Sequence, residues 1–173
     1  MILKGLALTA AWLLASPALL SPINGQAPSA TEGWHRFEGT WSAAGRRHTL
    51  PTEGSRAAAI VQLSGAVVLE VADGLSRGFR GEIIGFDDGL ERSVGRWVWT
   101  DERGDRIFGQ IAGEPMRTGR RFVGTITGGS GRYAELSGEY ELTWQYVAIA
   151  GDEEVQGRTV DLRGRYRRGA IQP

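Results

Sequence analysis

An alternation of apolar and polar side chains with a period of two residues constrains the fold more than any other feature of the chain. In the segment 139–147 the polar side chains share one face, and the other face carries Tyr140, Leu142, Trp144 and Tyr146. Because successive side chains of a strand point to opposite faces, this pattern predicts a β-strand with one buried face. The same period recurs over 96–100 and 160–166, and no segment after residue 31 has a convincing helical period.

About nine candidate strands of this kind follow one another closely along the chain. They lie at 34–43, 57–63, 66–72, 79–86, 96–100, 106–112, 121–127, 139–147 and 160–166. The breaks between them contain many of the 26 glycines, including the pairs Asp73-Gly74 and Asp88-Gly89. Glycine supplies the positive φ that tight hairpins need. The sequence therefore predicts an all-β domain, either a barrel or a sandwich of antiparallel strands.

The composition argues against several classes of site. The chain has no cysteine, so disulfides, cysteine-bound zinc and thiolate catalysis are excluded. Its formal net charge of zero argues against a protein that binds nucleic acid by neutralising phosphates. His35 and His48 are the only histidines and lack the close spacing of a metal site. We expect neither a metal nor a cofactor.

The N-terminus has the pattern of a secretory signal peptide. Lys4 is followed by an uncharged apolar run to Leu20 and by the small-residue site Gly25-Gln26-Ala27. Because Pro17 interrupts the run, which is shorter than a membrane-spanning helix needs, an uncleaved anchor is the less favoured alternative. We predict a signal peptide at 1–27, a linker at 28–33, a β-barrel domain at 34–168 and a tail at 169–173. Such a protein would be secreted or periplasmic, without a membrane anchor after cleavage.

The most distinctive segment is rich in glycine and reads Phe122-Val-Gly-Thr-Ile-Thr-Gly-Gly-Ser-Gly-Arg-Tyr-Ala134. Its glycines have the spacing of a nucleotide-binding turn, but that motif needs a helix to follow. Here residues 138–146 alternate as a strand instead. We interpret the segment as a hairpin that joins the strand at 121–127 to the strand at 138–147, with Ser130 as a turn residue rather than a nucleophile.

This hairpin resembles the T-G-G-[ST]-G-x-[YF] turn of the allene oxide cyclase barrel family and of the dirigent-like barrels. The matching residues begin at Thr127-Gly128-Gly129-Ser130-Gly131-Arg132-Tyr133, and the resemblance covers about 93–147. It implies a single eight-stranded antiparallel barrel, calycin-like, with an apolar lumen, and the plant cyclases are often trimers. Those cyclases use a pocket carboxylate and a cysteine that lines the cavity. This chain has no cysteine, so the resemblance implies the fold and leaves the activity open.

The candidate ligand-binding residues are aromatic and share strand faces: Trp97, Trp99, Tyr140, Trp144 and Tyr146. They could line a cavity in the barrel, fill its core, or form an outer face that subunits bury. The candidate catalytic residues are Glu70 and Glu82, which lie in otherwise apolar strands. Either carboxyl would have a raised pKa if it pointed into the lumen. Glu139 and Glu141 are expected on a solvated outer face, paired with arginines.

From these observations we expect an exported, non-enzymatic barrel that holds a small apolar or aromatic ligand in its lumen. Two alternatives stay open. The chain could be an isomerase or cyclase that acts on an unsaturated, lipid-like substrate, an expectation that depends on the family resemblance alone. It could also be a structural or partner-binding protein that forms a homotrimer.

Overall fold

Eight antiparallel strands form a closed barrel in the computed structural model, which describes residues 33–72, 74–90, 92–113, 120–150 and 153–169. The strands are β1 (His35–Pro51), β2 (Ala57–Ala72), β3 (Gly78–Asp87), β4 (Ser93–Thr100), β5 (Arg106–Gly113), β6 (Arg120–Gly129), β7 (Leu136–Ala150) and β8 (Glu154–Arg168). Each strand pairs with its neighbours in sequence, and β8 pairs with β1 to close the sheet. The predicted all-β antiparallel barrel is confirmed.

The predicted strands at 57–63 and 66–72 are in fact one strand, β2. Ser64 and Gly65 had the composition of a break, but both continue the pairing with β1. Gly65 is needed because a Cβ there would overlap the backbone of Ser42 and Ala43. Here a glycine allows two strands to approach closely and marks no turn.

Because neighbouring strands are antiparallel, their connections fall alternately at two ends of the barrel. We call the end where β1 begins the motif end, since it carries the glycine-rich segment between β6 and β7. We call the opposite end, where β1 ends at Pro51 and β2 begins at Ala57, the cavity end. The predicted signal peptide at 1–27 lies outside the described residues, as do most of the predicted linker and tail.

Inward-facing side chains fill most of the lumen with one apolar cluster. Its aromatic members are Phe37, Trp41, Phe79, Trp97, Trp99, Phe122, Tyr133, Tyr140, Trp144 and Tyr166, each less than a tenth exposed. Burial of one such ring stabilises the fold by about 1.5–3 kcal/mol relative to leaving it in water. Three inward-facing glycines provide room for the rings, because a Cβ at Gly109, Gly124 or Gly157 would overlap Trp97, Tyr140 or Trp144, respectively.

The outer surface of the barrel carries charged side chains in one region and exposed apolar side chains in another. On β7 and β8, Glu139 pairs with Arg165 at 2.7 Å and Glu141 with Arg163 at 2.6 Å, which confirms the predicted solvated face. Among the described residues the exposed large apolar side chains lie in the cavity-end half of the barrel, with the exception of Val68. Within the same residues, no helix is long and apolar enough to cross a membrane.

Candidate ligand-binding site

Three of the five predicted ligand-binding aromatics lie in a packed part of the core. The ring centroids of Trp97 and Trp99 are 4.8 Å apart, and those of Trp97 and Tyr140 are 5.5 Å apart. Burial raises the pKa of the Tyr140 hydroxyl well above its ordinary range. Phe37 and Phe79 close the same group towards the motif end, with centroids 6.1 and 5.8 Å from that of Trp99. Around Trp99, therefore, the lumen is filled by the protein itself.

The other two predicted aromatics, Trp144 and Tyr146, lie towards the cavity end. The Trp144 ring lies 5.3 Å from that of Trp41 and 6.1 Å from that of Tyr146. A cavity of about 40 Å³ remains beside the rings of Trp41 and Trp144 but is not lined by Tyr146, and its walls are almost entirely apolar. It is lined by Trp41, Val61, Leu63, Ile83, Gly85, Phe86, Ser93, Val94, Ile111, Phe122, Leu142 and Trp144. The cavity borders three members of the aromatic cluster, Trp41, Phe122 and Trp144.

The buried polar side chains towards the cavity end include Asp87 and Ser93. Asp87 and Ser93 face each other across the β3–β4 pair, and each is only 3% exposed. The Asp87 carboxylate accepts a hydrogen bond of 2.9 Å from the Gly89 backbone N–H. Arg47 and Tyr146 are half-buried, on strands β1 and β7. Arg47, Asp87, Ser93 and Tyr146 form a set that we call the polar cluster.

Several buried polar atoms here have no hydrogen-bond partner among the described residues. They include Nε of Arg47, Oγ of Ser93 and the hydroxyl of Tyr146. The indole nitrogens of Trp41 and Trp144, which line the cavity, are also unpartnered. A buried polar atom without a partner costs about 1–3 kcal/mol, and most folded proteins avoid it. The cavity end therefore retains hydrogen-bonding capacity that folding alone does not use.

The two charged members of the cluster act on the Tyr146 hydroxyl. Burial raises the pKa of the Tyr146 hydroxyl above its ordinary value of 10. The Arg47 guanidinium acts in the opposite direction and lowers the pKa of Tyr146, whereas the Asp87 carboxylate raises it further. A cation and an anion thus act on one phenol at the end of an apolar lumen. Of the four members of the polar cluster, Ser93 is the one that lines the cavity.

The motif end is built in the opposite way, because its buried polar groups are paired. Arg132 donates two hydrogen bonds to Asp101 Oδ2, from Nε at 2.9 Å and from Nη2 at 2.6 Å. Asp101 Oδ1 accepts from the backbone N–H groups of Arg103 at 2.8 Å and Asp105 at 3.0 Å. Burial would raise the pKa of Asp101, but the hydrogen bonds from Arg132 and the backbone outweigh it and lower the pKa. This network is a structural support for the turns.

The predicted glycine-rich hairpin is part of this support. Gly131–Tyr133 forms a single 3₁₀ turn between β6 and β7, and β7 follows as a strand. Ser130 exchanges hydrogen bonds with Arg106, its N–H donating to the carbonyl at 2.8 Å and its Oγ accepting from the N–H at 3.1 Å. Gly131 has a φ of 55°, and a Cβ there would overlap the Asp105 carboxylate. Ser130 is therefore a turn residue, and the glycines position it.

The structure places the candidate catalytic carboxylates Glu70 and Glu82 outside the lumen. Glu70 follows the inward-facing Leu69 and is exposed. Glu82 precedes the inward-facing Ile83, and its carboxylate pairs with Arg80 at 2.7 Å on the outer surface. The condition for their candidacy, a side chain that points into the lumen, is not met because the strand alternation directs both outward.

Sequence reasoning missed Trp41, Arg47, Asp87 and Ser93 as site residues. Arg47 lies beyond the predicted strand at 34–43, although the alternation from Trp41 through Ala43 and Gly45 would have placed it inward. Asp87 lies one residue beyond the predicted strand at 79–86, and it also begins a turn. The two-residue alternation, continued beyond the predicted strand ends, would have placed both Arg47 and Asp87 on the inward face.

No group of three or more His, Asp or Glu side chains within the described ranges is arranged to hold a metal ion. His35 stacks on Tyr166 with a centroid distance of 5.2 Å, and His48 is exposed. Comparison of the chain with family models, with curated proteins and with solved structures finds no match.

Proposed function

We propose that this protein binds a small, largely apolar ligand in the cavity-end half of its barrel. The observation that carries the proposal is the apolar cavity beside Trp41 and Trp144, flanked by buried polar atoms that have no partner among the described residues. An eight-stranded barrel is wide enough either to be filled by side chains or to hold one small ligand. In this barrel, side chains fill the lumen towards the motif end, and the cavity lies towards the cavity end.

A substitution that fills the cavity tests this function. Val61 lines the cavity on β2, whereas Val68 faces outward on the same strand and is 51% exposed. We expect Val61→Phe to abolish the thermal stabilisation that small apolar compounds give the wild-type chain, because a ligand stabilises only the state it binds. Val68→Phe is the control and should retain it. Equal stabilisation of both variants, or none of the wild-type chain by α-methylstyrene or acetophenone near their solubility limits, would rule the function out.

We also propose that the chain is related to the allene oxide cyclase-like barrels and that it is exported. A closed eight-stranded barrel whose glycine-rich segment forms the β6–β7 turn supports a relationship to the allene oxide cyclase-like barrels. The signal-peptide pattern before residue 28 supports export to a periplasm or extracellular space. N-terminal sequencing of the exported protein tests the latter, with a first residue between Pro28 and Thr31 as the expected result.

A second candidate function is isomerisation of an unsaturated substrate, and Asp87 favours it. Asp87 is buried, and Ser93, which faces it across the β3–β4 pair, lines the cavity. A carboxylate that reaches a bound substrate can take a proton from one carbon and return it to another. Cyclohex-3-enone is a suitable probe, because a proton shift converts it to the conjugated, ultraviolet-absorbing cyclohex-2-enone. This candidate requires turnover by the wild-type chain that Asp87→Asn loses. If the wild-type chain binds the ketone without converting it, the binding function alone remains.

A third candidate, a homo-oligomer, is supported by a row of apolar side chains on the outer face. Strand register places Ile60 beside Phe86, Phe86 beside Val94, Val94 beside Ala112 and Ala112 beside Val123. Phe86 and Val94 are 49% and 42% exposed. Light scattering tests the proposal: a trimer or other oligomer that Phe86→Glu dissociates would support it, and a wild-type monomer would exclude it.

A further inference from the structure

We infer that the outer face of strands β2–β6 binds an acidic, partly apolar segment of another protein. The inference goes beyond the proposed ligand site, because it concerns the outside of the barrel and does not depend on the cavity. Three features of this face support it, namely a continuous apolar row, a second row with polar side chains beside it, and a cation without a counter-ion.

The first feature is the row of apolar side chains that crosses five neighbouring strands. Strand register places its exposed members side by side: Ile60, Phe86, Val94, Ala112 and Val123. They line a groove of about 680 Å³ on the outer surface. Neighbouring strands lie about 4.8 Å apart, so the row is about 19 Å long, the length of roughly six extended residues. Large exposed apolar surfaces of this kind are typical of interaction sites.

The second feature is a row that lies directly beside the first, two residues along each strand towards the motif end. Its exposed members are also in register: Gln62, Ile84, Arg96, Gln110 and Thr125. The side chains of Gln62, Gln110 and Thr125 can both donate and accept hydrogen bonds. A peptide backbone offers donors and acceptors, whereas the phosphate of an anionic lipid offers only acceptors. This second row therefore favours a polypeptide over a membrane surface.

The third feature is Arg96, which lies in the middle of the second row and lines the groove. Its exposed guanidinium has no salt-bridge partner within the described part of the chain, and no described carboxylate lines the groove. The acids that border this face, Glu82 and Glu141, each pair with another arginine, at 2.7 and 2.6 Å. A carboxylate of the bound segment would supply the missing counter-ion.

Two other occupants fit this face less well. A two-fold contact with a second copy of the chain would bring Arg96, near the middle of the face, close to its own counterpart, and like charges in contact are unfavourable. Anionic membranes attract clusters of about four to eight basic side chains. Among the described residues, the basic side chains that line the groove are Arg92 and Arg96.

Selection from a library of random dodecapeptides displayed on phage tests the inference on the full chain. We expect the enriched peptides to combine leucine, isoleucine, valine or phenylalanine with aspartate or glutamate. Fluorescence polarisation with synthetic forms of these peptides then measures their affinity. Enrichment of basic peptides, or of no common pattern, would overturn the inference.

Two substitutions with matched controls locate the contact. Arg96→Glu should weaken peptide binding by roughly tenfold or more, because it removes a charge-assisted hydrogen bond. Arg158→Glu is its control, since Arg158 is exposed on β8, away from the groove. Val123→Asp should also weaken binding, because it places a carboxylate in the apolar row. Val68→Asp, an exposed position outside the groove, should leave binding unchanged.

Peptide binding that Arg96→Glu leaves unchanged would overturn the inference. Co-sedimentation with phosphatidylglycerol vesicles that Arg96→Glu abolishes would assign the face to a membrane instead, and a wild-type oligomer that Phe86→Glu dissociates would assign it to a second copy. The cavity-filling variant Val61→Phe should bind the peptides as the wild-type chain does, so a failure of the ligand-binding function leaves this test unaffected. Loss of peptide binding in Val61→Phe would place the peptides in the cavity and overturn the inference.

Discussion

The two ends of this barrel are made from the same alternating strands, yet they treat their buried polar groups in opposite ways. At the motif end the Asp101 carboxylate accepts hydrogen bonds from Arg132 and from two backbone N–H groups. At the cavity end, Ser93 and Tyr146 bury hydroxyls that have no partner among the described residues. The motif end thus satisfies its buried carboxylate, whereas unpartnered buried atoms occur in the packed core at Trp97 Nε1 and again towards the cavity end.

The largest effect should come from removing the buried acceptor at the motif end. Asp101→Ala leaves Nε–H of Arg132 and two backbone N–H groups without their acceptor, while the guanidinium keeps its hydrogen bond to Glu102 at 3.0 Å, so we expect a loss of about 3 kcal/mol in the free energy of unfolding. Urea denaturation measures it. Glu139→Ala is the control, because its pair with Arg165 is exposed and worth less than about 1 kcal/mol. Equal losses in the two variants would contradict the structural role of the motif end.

The next effect is a dependence of the folding stability on pH, which arises from Asp101 at the motif end. The pKa of Asp101 is held below its ordinary value of 3.8 in the folded protein. A lowered folded-state pKa contributes stability that is complete above the unfolded value and is lost as the pH falls through the folded one. Between about pH 7 and about pH 3 the wild-type chain should therefore lose more stability than Asp101→Asn. The cavity-end variant Ser93→Ala should follow the wild-type profile, and an Asp101→Asn profile parallel to the wild type would refute the assignment.

A smaller change in stability is expected when the same substitution, Tyr→Phe, is made at each end of the barrel. The Tyr133 hydroxyl accepts a hydrogen bond from the Ser76 N–H at 3.3 Å and interacts with Asp101. Tyr133→Phe should therefore cost about 1 kcal/mol, whereas Tyr146→Phe removes a buried, unpartnered hydroxyl and should be neutral or stabilising. Thermal unfolding of both variants measures the difference. If Tyr146→Phe is the more destabilising of the two, the cavity end is not the unsatisfied end.

The alternation in the sequence was sufficient to predict the faces of the strands. It placed Glu139 and Glu141 outward beside arginines, and the hairpin around Ser130 was also confirmed. A local break in composition was misleading at Gly65, because a glycine that permits close strand packing looks like a glycine in a turn. Local pattern does not distinguish the two when the partner strand is unknown.

The site was harder to predict than the fold. Periodicity gives the direction of a side chain, but the space between opposite strands depends on the volumes of side chains that are distant in sequence. Trp97 and Trp144 have the same alternation, yet Trp97 is surrounded by other rings and Trp144 borders a cavity. The polar cluster, which includes Arg47 and Asp87, combines residues from strands β1, β3, β4 and β7, and only the closure of the barrel brings them together.

Titration of isotope-labelled protein with acetophenone, followed through the indole N–H resonances in two-dimensional NMR spectra, tests the central claim most directly. Trp41 and Trp144 line the cavity, and Trp99 lies in the filled part of the lumen. We expect the indole resonances of Trp41 and Trp144 to shift with added ligand while that of Trp99 stays in place. A shift of the Trp99 resonance without shifts of Trp41 and Trp144 would place the ligand at the wrong end of the barrel and contradict binding at the cavity end.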